Sequence, residues 1–79
     1  MWKYKLELSP DETLRFEERE RHGSGHVVQR YSIIGPQGEV TGSVQLTETA
    51  LPASAEQRQL HLLQRNAWND TVVDLRWTA

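Results

Sequence analysis

The sequence contains no cysteine, which excludes a disulfide framework, a thiolate nucleophile and every zinc site built on thiolate ligands. It also lacks a surplus of positive charge. Nine Lys and Arg stand against eleven Asp and Glu, for a formal net charge of -2. Nucleic-acid binders draw affinity from counterion release by excess cations, so this balance argues against such a partner. No stretch approaches the ~20 apolar residues that a membrane helix needs. The start, Met1-Trp2-Lys3-Tyr4-Lys5, has no continuous apolar segment of the secretory kind. The expectation is a cytoplasmic, unprocessed chain with no membrane role. No repeat, low-complexity run or linker interrupts it.

What is present is apolar residues spread along most of the chain. The 79 residues include nine Leu, six Val, two Ile and three Trp. That is enough for one core and no second domain, so residues 1–79 are expected to form a single small domain. A domain of this size without a disulfide or structural metal needs dense packing or association with another chain.

Residues 2–8 alternate, with Trp2, Tyr4, Leu6 and Leu8 on one side and Lys3, Lys5 and Glu7 on the other, the period of a half-buried strand. Ser9-Pro10-Asp11-Glu12 supplies a turn. A second strand starts at Thr13 and becomes charged on both faces from Glu17 to Arg21. After the turn His22-Gly23-Ser24-Gly25, Val27–Ile34 reads as a third strand. A four-residue loop there sets Phe16 opposite Tyr31, Leu14 opposite Ile33 and Glu17 opposite Arg30. Gly35-Pro36-Gln37-Gly38 suits a type I turn. It sets Ile33 opposite Val40 and Tyr31 opposite Gly42, with a fourth strand over Val40–Thr47.

Ser54-Ala55-Glu56-Gln57 fits a capped helix start, and Leu60, Leu63 and Ala67 form a helical stripe. Leu62 lies off that stripe, and Leu60 with Leu62 also fits a strand. The cap favours a helix over 54–66. Thr71–Trp77 alternates again, with Val73, Leu75 and Trp77 on one side. The expected fold is α+β: a four-stranded antiparallel meander, one helix, then a fifth strand. The helix is expected to pack on the face carrying Trp2, Tyr4, Leu6, Phe16, Tyr31, Ile33, Val44, Leu75 and Trp77. The last strand is expected beside the first, antiparallel, leaving 40–47 at one edge.

No catalytic constellation or cofactor motif stands out, and the chain is expected not to be an enzyme. His22 and His26 flank a Gly-Ser-Gly turn, with His61 elsewhere and Glu18 or Glu20 as further ligands, but this is a thin set for a metal. The Ser24 hydroxyl lacks an orienting acid and an oxyanion hole. Gly35 to Gly38 sits in a hairpin turn and opens no helix, so it is not a phosphate loop. The run Glu17-Glu18-Arg19-Glu20-Arg21 reads as a solvated hairpin end or as a contact arm, through Arg19 and Arg21. Trp68, in a polar loop, is either a core plug or an exposed anchor.

The strand Val40–Thr47 has neither charge nor proline, and as an edge it would recruit another strand. The leading expectation is therefore a non-enzymatic protein-interaction module: a homodimer, or a small inhibitor, immunity or adaptor protein. Its partner residues would be Val40, Thr41, Ser43, Gln45, Thr47, Trp68, Arg19 and Arg21. A metal-binding or hydrolase-like role at His22 and His26 ranks second. Nucleic-acid binding through Lys3, Lys5, Arg15 and Arg30 ranks third.

Overall fold

The computed structural model describes the backbone of residues 1–23, 25–52 and 54–79, with the side chains of these residues except Ser54 and Ala55. A single turn of 3-10 helix, Trp2–Lys5, precedes five strands: β1 Thr13–Arg21, β2 His26–Ile34, β3 Val40–Leu51, β4 Ser54–Asn66 and β5 Thr71–Thr78. They form one antiparallel sheet in the order β1-β2-β3-β4-β5.

Three expectations are corrected by this topology. The last strand pairs with β4 and not with the first strand, because 54–66 enters the sheet between it and β3. Residues 54–66 are not a helix, and no α-helix occurs among the described residues. The capping pattern at Ser54 and Gln57 is a local preference, and burial overrides it. Leu60, Leu62 and Gln64 are buried, whereas Ala67, the last member of the helical stripe, is exposed. Spacing of i, i+2, i+4 is the strand period, and Leu62, which a helix leaves off its stripe, becomes fully buried at 0% exposure. Residues 2–8 are not a strand either. A 3-10 turn has three residues per turn, which brings Trp2 and Lys5 inward and leaves Tyr4 75% exposed.

The inner face of the sheet carries Leu14, Tyr31, Ile33, Val44, Leu46, Leu60, Leu62, Val73 and Trp77, packed as one apolar cluster. A single sheet cannot bury such a face alone. The N-terminal segment supplies the second layer, with Trp2, Leu6 and Leu8 resting on the cluster. Leu6 and Leu8 do alternate inward as the sequence suggests, but from an extended segment lying over the sheet rather than bonded into it.

Four contacts hold this segment down. The Glu7 backbone N–H donates to Gln64 Oε1 at 2.9 Å, and Gln64 Nε2 donates to the Glu7 carbonyl at 2.7 Å. The Trp2 ring meets Tyr31 at 5.3 Å between centroids, and the Lys5 ammonium lies 4.9 Å from the Trp77 ring centre. The Thr41 hydroxyl donates to the Glu12 carboxylate. That bond, with the Ser9 backbone N–H, holds the Glu12 carboxyl below the ordinary glutamate range.

The expected pairs Phe16↔Tyr31 and Leu14↔Ile33 occur. Glu17 does not face Arg30: a bulge between Phe16 and Glu18 sets Glu18 there instead. The β2–β3 register also differs, with Ile34↔Val40, Ile33↔Gly42 and Tyr31↔Val44. Gly38, at φ 84, lies outside the ladder because Gly35 bonds Glu39. A register shift between Ile33 and Ile34 then takes up one more residue on β3. Gly42 thus sits beneath Ile33, and a Cβ there would lie 2.5 Å from the Arg65 carbonyl oxygen, so the strands could not approach so closely.

The strand assignment of β4 fixes two outcomes. Leu62→Ala should lower stability by about 2–5 kcal/mol, and Leu63→Ala, half-buried on the opposite face, by much less. Denaturant midpoints measure both, and equal losses would contradict the alternation. Gln64→Leu keeps the volume but strips Glu7 of both partners, which should cost about 1–3 kcal/mol. It should also expose residues 1–12 to limited proteolysis before the sheet itself unfolds.

Candidate functional site

The residues expected to bind a partner do not form one surface. β3 is bonded to β2 on one side and to β4 on the other, so Val40, Thr41, Ser43, Gln45 and Thr47 lie in the middle of the sheet. A homodimer through edge strand 40–47 is therefore corrected: that stretch has no free edge, because 54–66 pairs with it as a strand. Gln45 and Thr47 are half-buried on the outer face, while Val40 and Ser43 are exposed. Arg19 and Arg21 are exposed in β1, opposite Gln29 and Val27. Trp68 is 82% exposed in the β4–β5 turn, at the other end of the strands. That turn is closed by the Asn66 side chain, which accepts the N–H groups of Trp68 and Asp70 at 3.0 Å.

The structure brings His22 and His26 together and leaves His61 apart. The His22 and His26 rings meet edge to face at 5.8 Å; His22 Nε2 is 3.0 Å from Glu20, and His26 Nδ1 is 3.2 Å from Thr49 Oγ1. His61 Nε2 lies 2.7 Å from Asp74 across β4 and β5. Ser24 lies outside the described residues. The four cations weighed for nucleic acid are divided: Lys3 and Lys5 ride on the N-terminal turn over the inner face. Arg15 and Arg30, by strand alternation, project from the outer face. There Arg15 pairs with Glu17, and Arg30 with Glu18 and Glu20.

The free edges of the sheet are β1 and β5, and they differ in kind. β1 has a bulge and a run of five charged residues from Glu17 to Arg21, with Arg15 before it, and these deter strand addition. β5 has a register shift only at its start, near Arg65 and Thr71. From Val73 to Thr78 it has neither Pro nor Lys. Arg58 and Ala79 exchange backbone bonds of 2.8 and 2.9 Å. In an antiparallel ladder such pairs alternate, so Trp77, Leu75 and Val73 bond to β4, while Thr78, Arg76 and Asp74 turn their N–H and C=O groups outward. On the inner side of this edge, Leu75 is 42% exposed although its ladder partner Leu62 is fully buried. Next to it, Met1, Tyr4, Trp77 and Ala79 line an open apolar recess.

Sequence reasoning missed this edge because it placed the wrong strand outermost. The signal was present in Val73-Asp74-Leu75-Arg76-Trp77, where an acid and a base flank a central leucine with apolar residues outside them.

The charge pairs on β1 and β2 generate a pH dependence. The Arg30 guanidinium, 2.6 Å from Glu20, holds that carboxyl below the ordinary glutamate value of 4.5. A carboxyl lowered in the folded state contributes stability above its ordinary range and loses it as pH falls through the folded value. The Glu20 titration followed by NMR should therefore have its midpoint below 4.5, and Arg30→Gln should move it upward. A midpoint that ignores the substitution would show that Arg30 is not the cause.

No family model, no curated protein sequence and no solved structure matches the chain.

Proposed function

We propose that the chain is a non-enzymatic protein-interaction module that takes up its partner by strand addition along β5. The observation that carries this reading is the stretch Val73–Thr78, which has neither Pro nor Lys and whose outward backbone groups at Asp74, Arg76 and Thr78 have no partner strand among the described residues, beside an exposed Leu75. Strand addition joins such groups into a ladder, and side chains on alternate positions set the specificity. The apolar strip of Val73, Leu75 and Trp77 would be continued by apolar residues of the incoming strand. No helix among the described residues is long and apolar enough to cross a membrane, so a helical span plays no part in this reading.

Arg76→Pro tests it. Proline at an edge position whose N–H faces outward removes no bond to β4, yet denies one to an incoming strand. The variant should melt close to the parent, but a binding protein recovered from the source cells with the parent chain should no longer be retained. In the parent complex the Asp74 and Arg76 amides should exchange slowly with solvent. Equal retention by both chains, or unchanged exchange at these amides, would overturn the reading.

A further inference from the structure

We propose that the strand added to β5 is the β5 of a second copy of this chain, in a two-fold antiparallel register centred on Leu75. This rests on the reading of β5 as a docking edge and names its occupant.

The β5 edge is complementary to its own two-fold image. A two-fold axis normal to the sheet keeps inner faces on one side, so residues pair only with residues of the same parity. It also requires that outward-bonding residues meet one another. Asp74 and Arg76 satisfy this in three closely related registers. Centring on Asp74 sets it against the partner's Asp74, and centring on Arg76 sets it against the partner's Arg76. Both put like charges directly opposite, which is destabilising. Centring on Leu75 sets Asp74 against the partner's Arg76 and Arg76 against the partner's Asp74.

The same register sorts the inner face. Leu75, 42% exposed in one copy, meets the partner's Leu75 at a non-hydrogen-bonded position, where side chains approach most closely. Val73 meets the partner's Trp77, and Trp77 the partner's Val73. Both are half-buried members of the edge of the apolar cluster. The result is a continuous sheet whose inner apolar surface runs from one copy into the other. Asp74 already contacts His61 at 2.7 Å and lies 3.8 Å from Arg76 of its own strand. Both charged side chains are therefore displayed on the outer face, where the cross-strand pairs would form.

The test is charge exchange read by sedimentation over a range of concentrations. The parent chain should show a reversible monomer–dimer equilibrium. Asp74→Arg and Arg76→Asp should each weaken self-association by about tenfold or more, because each turns both cross-strand pairs repulsive. An equimolar mixture of the two variants should recover dimerisation, and so should the double variant carrying both exchanges. Arg76→Asp leaves the His61–Asp74 contact in place, so if Asp74→Arg fails to fold the test rests on Arg76→Asp, read beside Arg76→Lys, which keeps opposite charges paired and should dimerise like the parent. A parent chain that stays monomeric at every concentration overturns the proposal, as does a dimer indifferent to both single exchanges. If Arg76→Pro still abolishes binding of a different protein in either case, β5 remains the docking edge and only its occupant changes. If Arg76→Pro alters neither, the docking reading falls as well.

Discussion

The Gln64 carboxamide bonds both backbone groups of Glu7, and this clamp fixes the layer that the inner face of the sheet requires. Five strands in simple meander order bury nothing unless something lies across them. Here residues 1–12 do so, and they belong to no strand. A primary amide presents one acceptor and two donors, so at 3% exposure Gln64 acts on Glu7 as a neighbouring strand would. Around this clamp, Leu6 and Leu8 settle on the Leu46 and Leu62 cluster, and Trp2 on Tyr31. The Glu12–Thr41 bond then secures the point where the segment turns into β1. Loss of the clamp would expose the apolar cluster on the inner face of the sheet.

That arrangement explains what the sequence reveals of the fold and what it conceals. Strands β1, β2, β3 and β5 are visible from alternation and from the turns at 22–25 and 35–38. The pairing of Phe16 with Tyr31 occurs, but not through a four-residue loop: His22 bonds His26 and Arg21 faces Val27, and the bulge between Phe16 and Glu18 restores the register. β4 is hidden for a physical reason: its third inward position is Gln64, a polar residue, so the alternation Leu60, Leu62, Gln64 looks broken in hydropathy. The local Ser54-to-Gln57 pattern then competes successfully on paper. Only the long-range bonds to Glu7 make a buried glutamine favourable, and nothing near it in sequence announces them. Residues 2–8 carry the opposite ambiguity. Two-residue periodicity marks any extended segment with one buried side, whether it joins a ladder or lies across one.

The candidate site inherits both effects. Taking 54–66 as a helix leaves β3 exposed, so its uncharged stretch looks like an unguarded edge; taking it as a strand moves the free edge to β5. The same absence of charge in Val40–Thr47 then has a structural cause, since a strand bonded on both sides has no edge to guard. The charges of Glu17–Arg21 acquire a role as well. They lie in the edge strand β1, where the bulge and the Arg30 pairs keep further strands away. Of the predicted contact residues, Arg19 and Arg21 therefore belong to the defended side of the sheet, and only Trp68 adjoins β5.

The two edges also divide the work of specificity. A charge cluster such as β1 repels strand addition broadly, whereas one acid and one base two residues apart repel most partners but complement their own two-fold image. At an exposed rim such ion pairs contribute little affinity by themselves and are screened by salt. In the proposed dimer the backbone ladder and the apolar pairs of Leu75 with Leu75 and of Val73 with Trp77 would supply the strength of association, and the charges would choose among registers by penalising the two that set like against like. Raising salt should then relax the choice of register more than the tendency to associate. A docking edge organised in this way can remain open in the monomer without recruiting strands indiscriminately, because an incoming strand has to present the same alternation of acid, apolar residue and base in reverse.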